Sequence, residues 1–139
     1  MFTFGDDESP RGGRHNVLGT ALAPCCPRLR AGAARDGHCR YLANDPGEHV
    51  VCAQVDARFL KFTASRNNDL STPRPEFDFP GLKPGDRWCL CAVRWQEALD
   101  AGAAPPVILE ATDEKALDTI ARSDLQKHAV GRGGRPQPR

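Results

Sequence analysis

The sequence predicts an α+β fold, or a small α/β one: a single domain with a small mixed sheet, packed helices and a long proline-rich loop. Three observations predict it. Two short runs rich in β-branched, aromatic and small apolar residues, His49 to Val55 and Arg87 to Arg94, read as strands. Segments with helical apolar spacing follow each of them. The chain has 139 residues, the usual size of one domain, and is long enough to bury a core without staples.

The ends are set apart by composition. Met1 to His15 and Gly131 to Arg139 are rich in Gly, Pro and charge, so residues 1–15 and 131–139 are expected to be disordered tails around a domain of residues 16–130. Asn16 to Asn44 is irregular, with Gly19, Pro24, Pro27, Gly32 and Gly37, and Asp36-Gly37 is a strong turn signal. His49 to Val55 is the first strand. Asp56 is placed to cap a helix of about Ala57 to Ser65, which carries Phe59, Leu60 and Phe62 on one side.

From about Asn67 to Asp86 the prolines 73, 75, 80 and 84 forbid a helix or a central strand. Connections longer than about 12 to 15 residues tend to be functional or disordered. Leu70, Phe77, Phe79 and Leu82 suggest a loop that packs down as a lid. Arg87 to Arg94 alternates Trp88, Leu90 and Ala92 with Cys89, Cys91 and Val93; both faces are apolar, so it is expected to be central and covered on both sides. A short helix from Trp95 to Ala101 ends at Gly102. Pro106 to Ala111 is expected as another strand, Thr112 or Asp113 as the cap of a helix from Glu114 to Ala121, and Ser123 as the cap of a last helix to about Val130.

Charge narrows the function classes. Residues 16–130 hold 14 Lys and Arg against 15 Asp and Glu, and the net +1 of the whole chain comes from its tails. No basic face is implied, so no nucleic-acid partner is expected. No apolar run approaches membrane length and the N-terminus lacks an apolar leader, so no membrane partner is expected and the location is read as cytoplasmic. In a reducing compartment the six cysteines are expected as thiols or metal ligands, not disulfides. Walker A, G-x-G-x-x-G, H-E-x-x-H and G-x-S-x-G are all missing, which argues against the common nucleotide-binding, metalloprotease and hydrolase classes.

The cysteines offer no C-x-x-C pair. His49 and Cys52, three apart on a strand, face opposite ways and cannot share a metal. Cys89 and Cys91 share a face at about 6.7 Å between Cα atoms, too far for a mutual disulfide in a regular strand, and read as buried small apolar residues. The metal candidates are Cys25, Cys26, His38 and Cys39 of the turn-rich part, with Cys52 as a further soft ligand; zinc is one ion they could hold, although their spacing matches no zinc template and the cofactor stays open. A nucleophilic cysteine beside His38 or His49 needs a base and an activated thiol that the sequence does not display. The ligand-binding candidates on the loop and its exit are Asn68, Asp69, Ser71, Thr72, Arg74, Glu76, Asp86 and Arg87, against which stands their ordinary role of bonding their own backbone in turns.

NVLGTALAPCC (16–26), RDGHC (35–39), HVVCA (49–53), the run from Ser65 to Trp95 with DLSTP and FPGLKPGDRWCLCA, APPVILEAT (104–112) and EKAL (114–117) resemble an uncharacterised, mainly bacterial family, domain of unknown function 2237. The resemblance covers about Asn16 to Val130 and implies a soluble stand-alone domain but no activity. The chain departs from that pattern at Ala31 to Ala34, at Asn67 in place of glycine, and at Asp113 in place of histidine. Asparagine tolerates positive φ, so the turn at Asn67 is expected to survive. Three readings follow: a binding domain for a small polar ligand or a metal, held between the loop and the cysteine-bearing turns; an interaction domain with an apolar patch involving Trp88 or Trp95; and a thiol-dependent enzyme.

Overall fold

A computed structural model describes residues 14–130. Of the tails expected at 1–15 and 131–139, residues 1–13 and 131–139 lie outside the described residues, whereas Arg14 and His15 belong to the folded part: Leu22 N–H bonds the Arg14 carbonyl and His15 bridges Ala21. The described elements are strand β1 (His49–Gln54), helix α1 (Ala57–Ser65), strand β2 (Arg87–Cys91), helix α2 (Ala92–Asp100) and helix α3 (Arg122–Lys127), with 3₁₀ turns at Pro75–Phe77, Leu109–Ala111 and Glu114–Asp118. This is a small α+β domain on a two-stranded antiparallel sheet.

β1 and β2 pair with Val51 opposite Leu90, Cys52 opposite Cys89, Ala53 opposite Trp88 and Gln54 opposite Arg87. Extended regularly, that register would set Val50 across from Cys91. A bulge between His49 and Val51 sets His49 there instead. An extra residue on one strand re-aims the side chains beyond it.

The two faces of the ribbon enter two different cores. Val51, Ala53 and Leu90 join Phe59, Leu60, Trp95, Ile120 and Leu125 in the main core. Cys52 and Cys89 face a second cluster with Cys25, Ala31, Cys39, Ile108 and Ala111. Both faces of β2 are thus covered, as its apolar alternation requires, although with one partner strand it is not central.

α1 starts where Asp56 accepts a bond from the Phe59 N–H at 2.8 Å, and buries Phe59, Leu60 and Thr63. α2 starts three residues before the sequence suggests. Ala92, Trp95 and Ala98 are its buried positions, and this helical spacing wins over strand alternation, leaving Val93 exposed. β2 therefore stops at Cys91.

Two further expected elements shrink. Pro106 to Ala111 is extended but not a strand: Gln54 N–H bonds the Pro106 carbonyl and Ile108 N–H the Cys52 carbonyl, giving only bridges before a 3₁₀ turn. Pro105 and Pro106 lack the donors a longer ladder needs. Glu114–Asp118 is a 3₁₀ turn capped by Asp113, and α3 begins after Ala121 without a side-chain cap.

Residues 14–48 contain no helix or strand element and are ordered by polar hubs and sulfur. Buried Asn16 donates to Thr20 Oγ1, Ala21 O and Glu110 O and accepts from the N–H groups of Leu18 and Thr20. Two disulfides, Cys25–Cys52 and Cys39–Cys89, fasten this part to the ribbon. They overturn the expectation of free thiols for those four residues. The reason is geometric: Cys52 and Cys89 are cross-strand neighbours on one face, and two well-placed turns deliver Cys25 and Cys39 to that face. Reasoning from compartment carries no information about such convergence.

The long loop packs down in part. Arg35 donates to the Phe77 and Asp78 carbonyls at 3.1 Å each, Arg30 pairs with Asp78 at 2.8 Å, and Phe79 packs at a tilt against Trp88 with centroids 5.1 Å apart. Leu82 is buried, but Phe77 is exposed, contrary to its expected packing role. Asn67 sits at φ 64°, a left-handed turn made without glycine.

Candidate functional site

The best-formed constellation lies at the end of the ribbon where β2 becomes α2. Cys91 is the residue before the first turn of α2, with an extended backbone (φ −58°, ψ 136°), half-buried and outside both disulfides. The thiol thus stands at the positive end of a nine-residue helix. His49 faces it across the bulged end of the pairing. Asp45, buried beneath the turn Pro46-Gly47, accepts the His49 backbone N–H at 2.9 Å and holds Nδ1 at 2.9 Å from Oδ1 and 3.1 Å from Oδ2.

The imidazole orientation follows. With Nδ1 engaged by a carboxylate, Nε2 is the nitrogen available to the Cys91 side chain. That hydrogen bond is the largest influence on His49 and raises it. Burial opposes, and the charge of Cys91 and the charge and bond of Asp45 raise it further, to about 9 from an ordinary 6.5. The ring therefore holds its proton more tightly than a free imidazole does.

Gly47 keeps the space between them clear. A Cβ at this position would stand 2.8 Å from His49 Cε1 and 3.3 Å from Cys91 Sγ. The site so built contains a nucleophile, a proton partner and a carboxylate that orients the partner.

A second constellation is buried under the ribbon. The sulfurs of Cys25, Cys39 and Cys89 lie within 4.8 Å of one another, and Cys52 is bonded to Cys25. Three thiolates so placed could hold a metal ion, but in this structure each of the three sulfurs is tied in a disulfide. Gly32, at φ 94°, lets the chain pass here: a Cβ on it would fall 2.0 Å from the His38 carbonyl oxygen and 3.8 Å from Cys89 Sγ.

Of the metal candidates read from sequence, Cys25, Cys39 and Cys52 come together in this cluster. Cys26 is half-buried and free, and His38 turns towards Asp36, with 3.8 Å between Nδ1 and Oδ1. Cys89 completes the cluster. Spacing along the strand compares it only with its neighbour Cys91, whereas its partner lies 50 residues away in sequence.

The loop candidates serve local turns. Asn68 donates to Thr63 Oγ1 at 2.8 Å; Asp69 accepts from the Ser71 and Thr72 N–H groups and the Thr72 hydroxyl, which lower its carboxyl below the usual range. The Arg74 backbone pairs with Phe79, and Glu76 is exposed in the 3₁₀ turn. Asp86 accepts the Lys83 N–H at 2.8 Å and lies 3.6 Å from Arg28, and Arg87 opens β2 opposite Gln54. A groove of about 400 Å³ does run between the N-terminal turns and the loop, but Arg28, Leu29, Arg30, Pro73, Pro75, Asp78, Phe79 and Pro80 line it, and none of those eight candidates does.

Asp113 is buried and accepts the N–H groups of Tyr41 and Lys115, which is a scaffold role. Trp95 is fully buried and donates Nε1–H to the Pro105 carbonyl, so it forms no exposed patch; Trp88 is half-buried under Phe79 and Arg35. Among the described residues no helix is long and apolar enough to cross a membrane.

Fold and constellations together define a small cysteine-rich α+β domain with one free thiol set against a histidine–carboxylate pair. Residues 15–129 match the family described as an uncharacterized protein conserved in bacteria, DUF2237, and the chain belongs to it. No curated protein matches it.

Proposed function

We propose that the domain performs covalent thiol chemistry at Cys91. Cys91 Sγ attacks an electrophilic carbon such as an acyl carbon, His49 donates a proton to the departing group, and Asp45 positions the ring. In the second half, His49 takes a proton from water, which attacks the thioester and releases the free sulfur. The observation that carries this reading is the bulge that sets His49, already held by Asp45 at 2.9 Å, across from Cys91 at the start of α2.

Site-resolved alkylation with iodoacetamide at neutral pH tests it. Cys91 is expected to react about tenfold or more faster than Cys26, the other free thiol, and His49→Gln is expected to slow Cys91 alone. A burst of about one equivalent of nitrophenolate from p-nitrophenyl acetate would add the acyl step. Equal, slow labelling of both thiols in the folded protein overturns the reading.

A second reading has its own observation, the groove between Arg28–Arg30 and the prolines of the loop, which suits a small polar ligand. Chemical-shift changes confined to those residues in a ligand screen would support it; shifts centred on His49 and Cys91 would favour the first.

A further inference from the structure

Four of the six cysteines play no part in the chemistry of Cys91, and their arrangement has a use of its own. We propose that the reduced chain binds one soft divalent metal ion, zinc by chemical class, through Cys25, Cys39, Cys52 and Cys89. The same four sulfurs then alternate between two covalent bridges and a closed tetrathiolate centre.

The fold brings these residues together by backbone contacts that do not depend on the disulfides. Cys52 and Cys89 are opposed on adjacent strands. The N–H of Cys25 bonds the Gly37 carbonyl at 2.7 Å, and Cys39 forms a bridge with Thr112. Thr112 Oγ1 in turn accepts the Cys52 N–H at 3.1 Å. The anchors of all four ligands therefore remain when the S–S bonds open.

Distances favour a tetrahedral ion. Zinc–sulfur bonds of about 2.3 Å put ligand sulfurs about 3.8 Å apart. Three of the sulfurs already lie within 4.8 Å of one another. Opening each bridge to that spacing needs a side-chain shift of about 2 Å, within reach of small χ1 changes. All four cysteines are 5% exposed or less, which suits a closed structural site and excludes an open coordination position. The ion fills the place of the cross-links, joining residues 14–48 to the ribbon.

The electron balance is simple. Each bridge takes two electrons and two protons from a dithiol reductant, which itself becomes a disulfide, and four thiols result. Zinc then displaces four protons to give the tetrathiolate complex. In the reverse direction two equivalents of a small-molecule disulfide take the four electrons by thiol–disulfide exchange and become thiols, the two bridges re-form and the ion leaves, so metal binding is gated by redox state.

The test uses the full chain, reduced anaerobically with dithiothreitol, desalted and titrated with zinc or cobalt. Native mass spectrometry is expected to show about one zinc per chain, and cobalt to give tetrahedral visible absorption with sulfur charge-transfer bands. Cys39→Ser and Cys89→Ser are expected to weaken binding about tenfold or more, while Cys26→Ser and Cys91→Ser retain the full equivalent. Should reduction unfold the metal-free chain, zinc is expected to restore its circular dichroism. Uptake below about a tenth of an equivalent, failure of zinc to restore a lost fold, or equal loss in Cys26→Ser overturns the proposal. The Cys91 labelling rate is read separately in the oxidised protein, so failure of one proposal leaves the other intact.

Discussion

Gly47→Ala tests the Cys91 site with a single methyl group. Ordinary carbon contacts begin near about 3.5 Å, whereas the new Cβ would lie 2.8 Å from His49 Cε1. The ring must retreat by roughly 0.7 Å, and Cys91 Sγ, 3.3 Å from the same point, by less. A displacement of that size lengthens or bends the 2.9 Å bond to Asp45 towards the limit of hydrogen bonding. Misplacing a catalytic group by about 1 Å can cost about a hundredfold in rate, so about tenfold is the expected loss here. The crowding should also cost about 1 kcal/mol of stability, the low end for overpacking. Gly47 does not occupy the left-handed region, so the methyl group and not backbone strain is what is being tested. The assay is the iodoacetamide rate at Cys91 relative to Cys26 in the same sample, with a thermal melt beside it. A variant that labels Cys91 at the wild-type rate and melts unchanged would refute the claim that Gly47 makes room for this pair.

Other expectations concern stability and pH. His49 is raised in the folded state by Cys91 and Asp45, so its contribution is complete below about pH 6.5 and is lost as pH climbs through about 9; His49→Gln should flatten that decline in urea unfolding measured across the range. Asp45→Asn should lower the pH at which the histidine proton is lost in NMR titration and slow alkylation of Cys91, with little change at Cys26. Replacing Cys25 and Cys52 together by alanine opens a link across 27 residues and should cost about 3.5 kcal/mol in chemical denaturation, against about 4 kcal/mol for the Cys39–Cys89 link across 50. Asn16→Ala strands three acceptors and two donors of a buried hub and should cost about 2 to 4 kcal/mol, seen as a lowered melting temperature with the fold intact.

The local rules of the chain account for much of what is seen. α1 falls where Asp56 and the Phe59–Leu60 spacing put it, because capping and helical periodicity act within one turn. β1 and β2 begin at His49 and Arg87, and the left-handed turn forms at Asn67, for similarly local reasons. The prolines do keep 67–86 from becoming a helix or a central strand, and the side chains of Asp69, Thr72 and Asp86 bond within their own turns.

Tertiary structure decided the sulfur chemistry and the site. Alternation in Arg87 to Arg94 is equally consistent with strand throughout, and only the packing of Ala92, Trp95 and Ala98 against the main core ends β2 at Cys91. The one-residue bulge that brings His49 opposite Cys91 leaves no mark in composition, because register is set by what both strands bury. Cys25 and Cys52 are 27 residues apart and Cys39 and Cys89 are 50 apart, so their meeting depends on the paths of the intervening chain. Short-range preferences fix which residues turn, coil or extend; contacts between distant segments choose which thiol stays free and which histidine it meets.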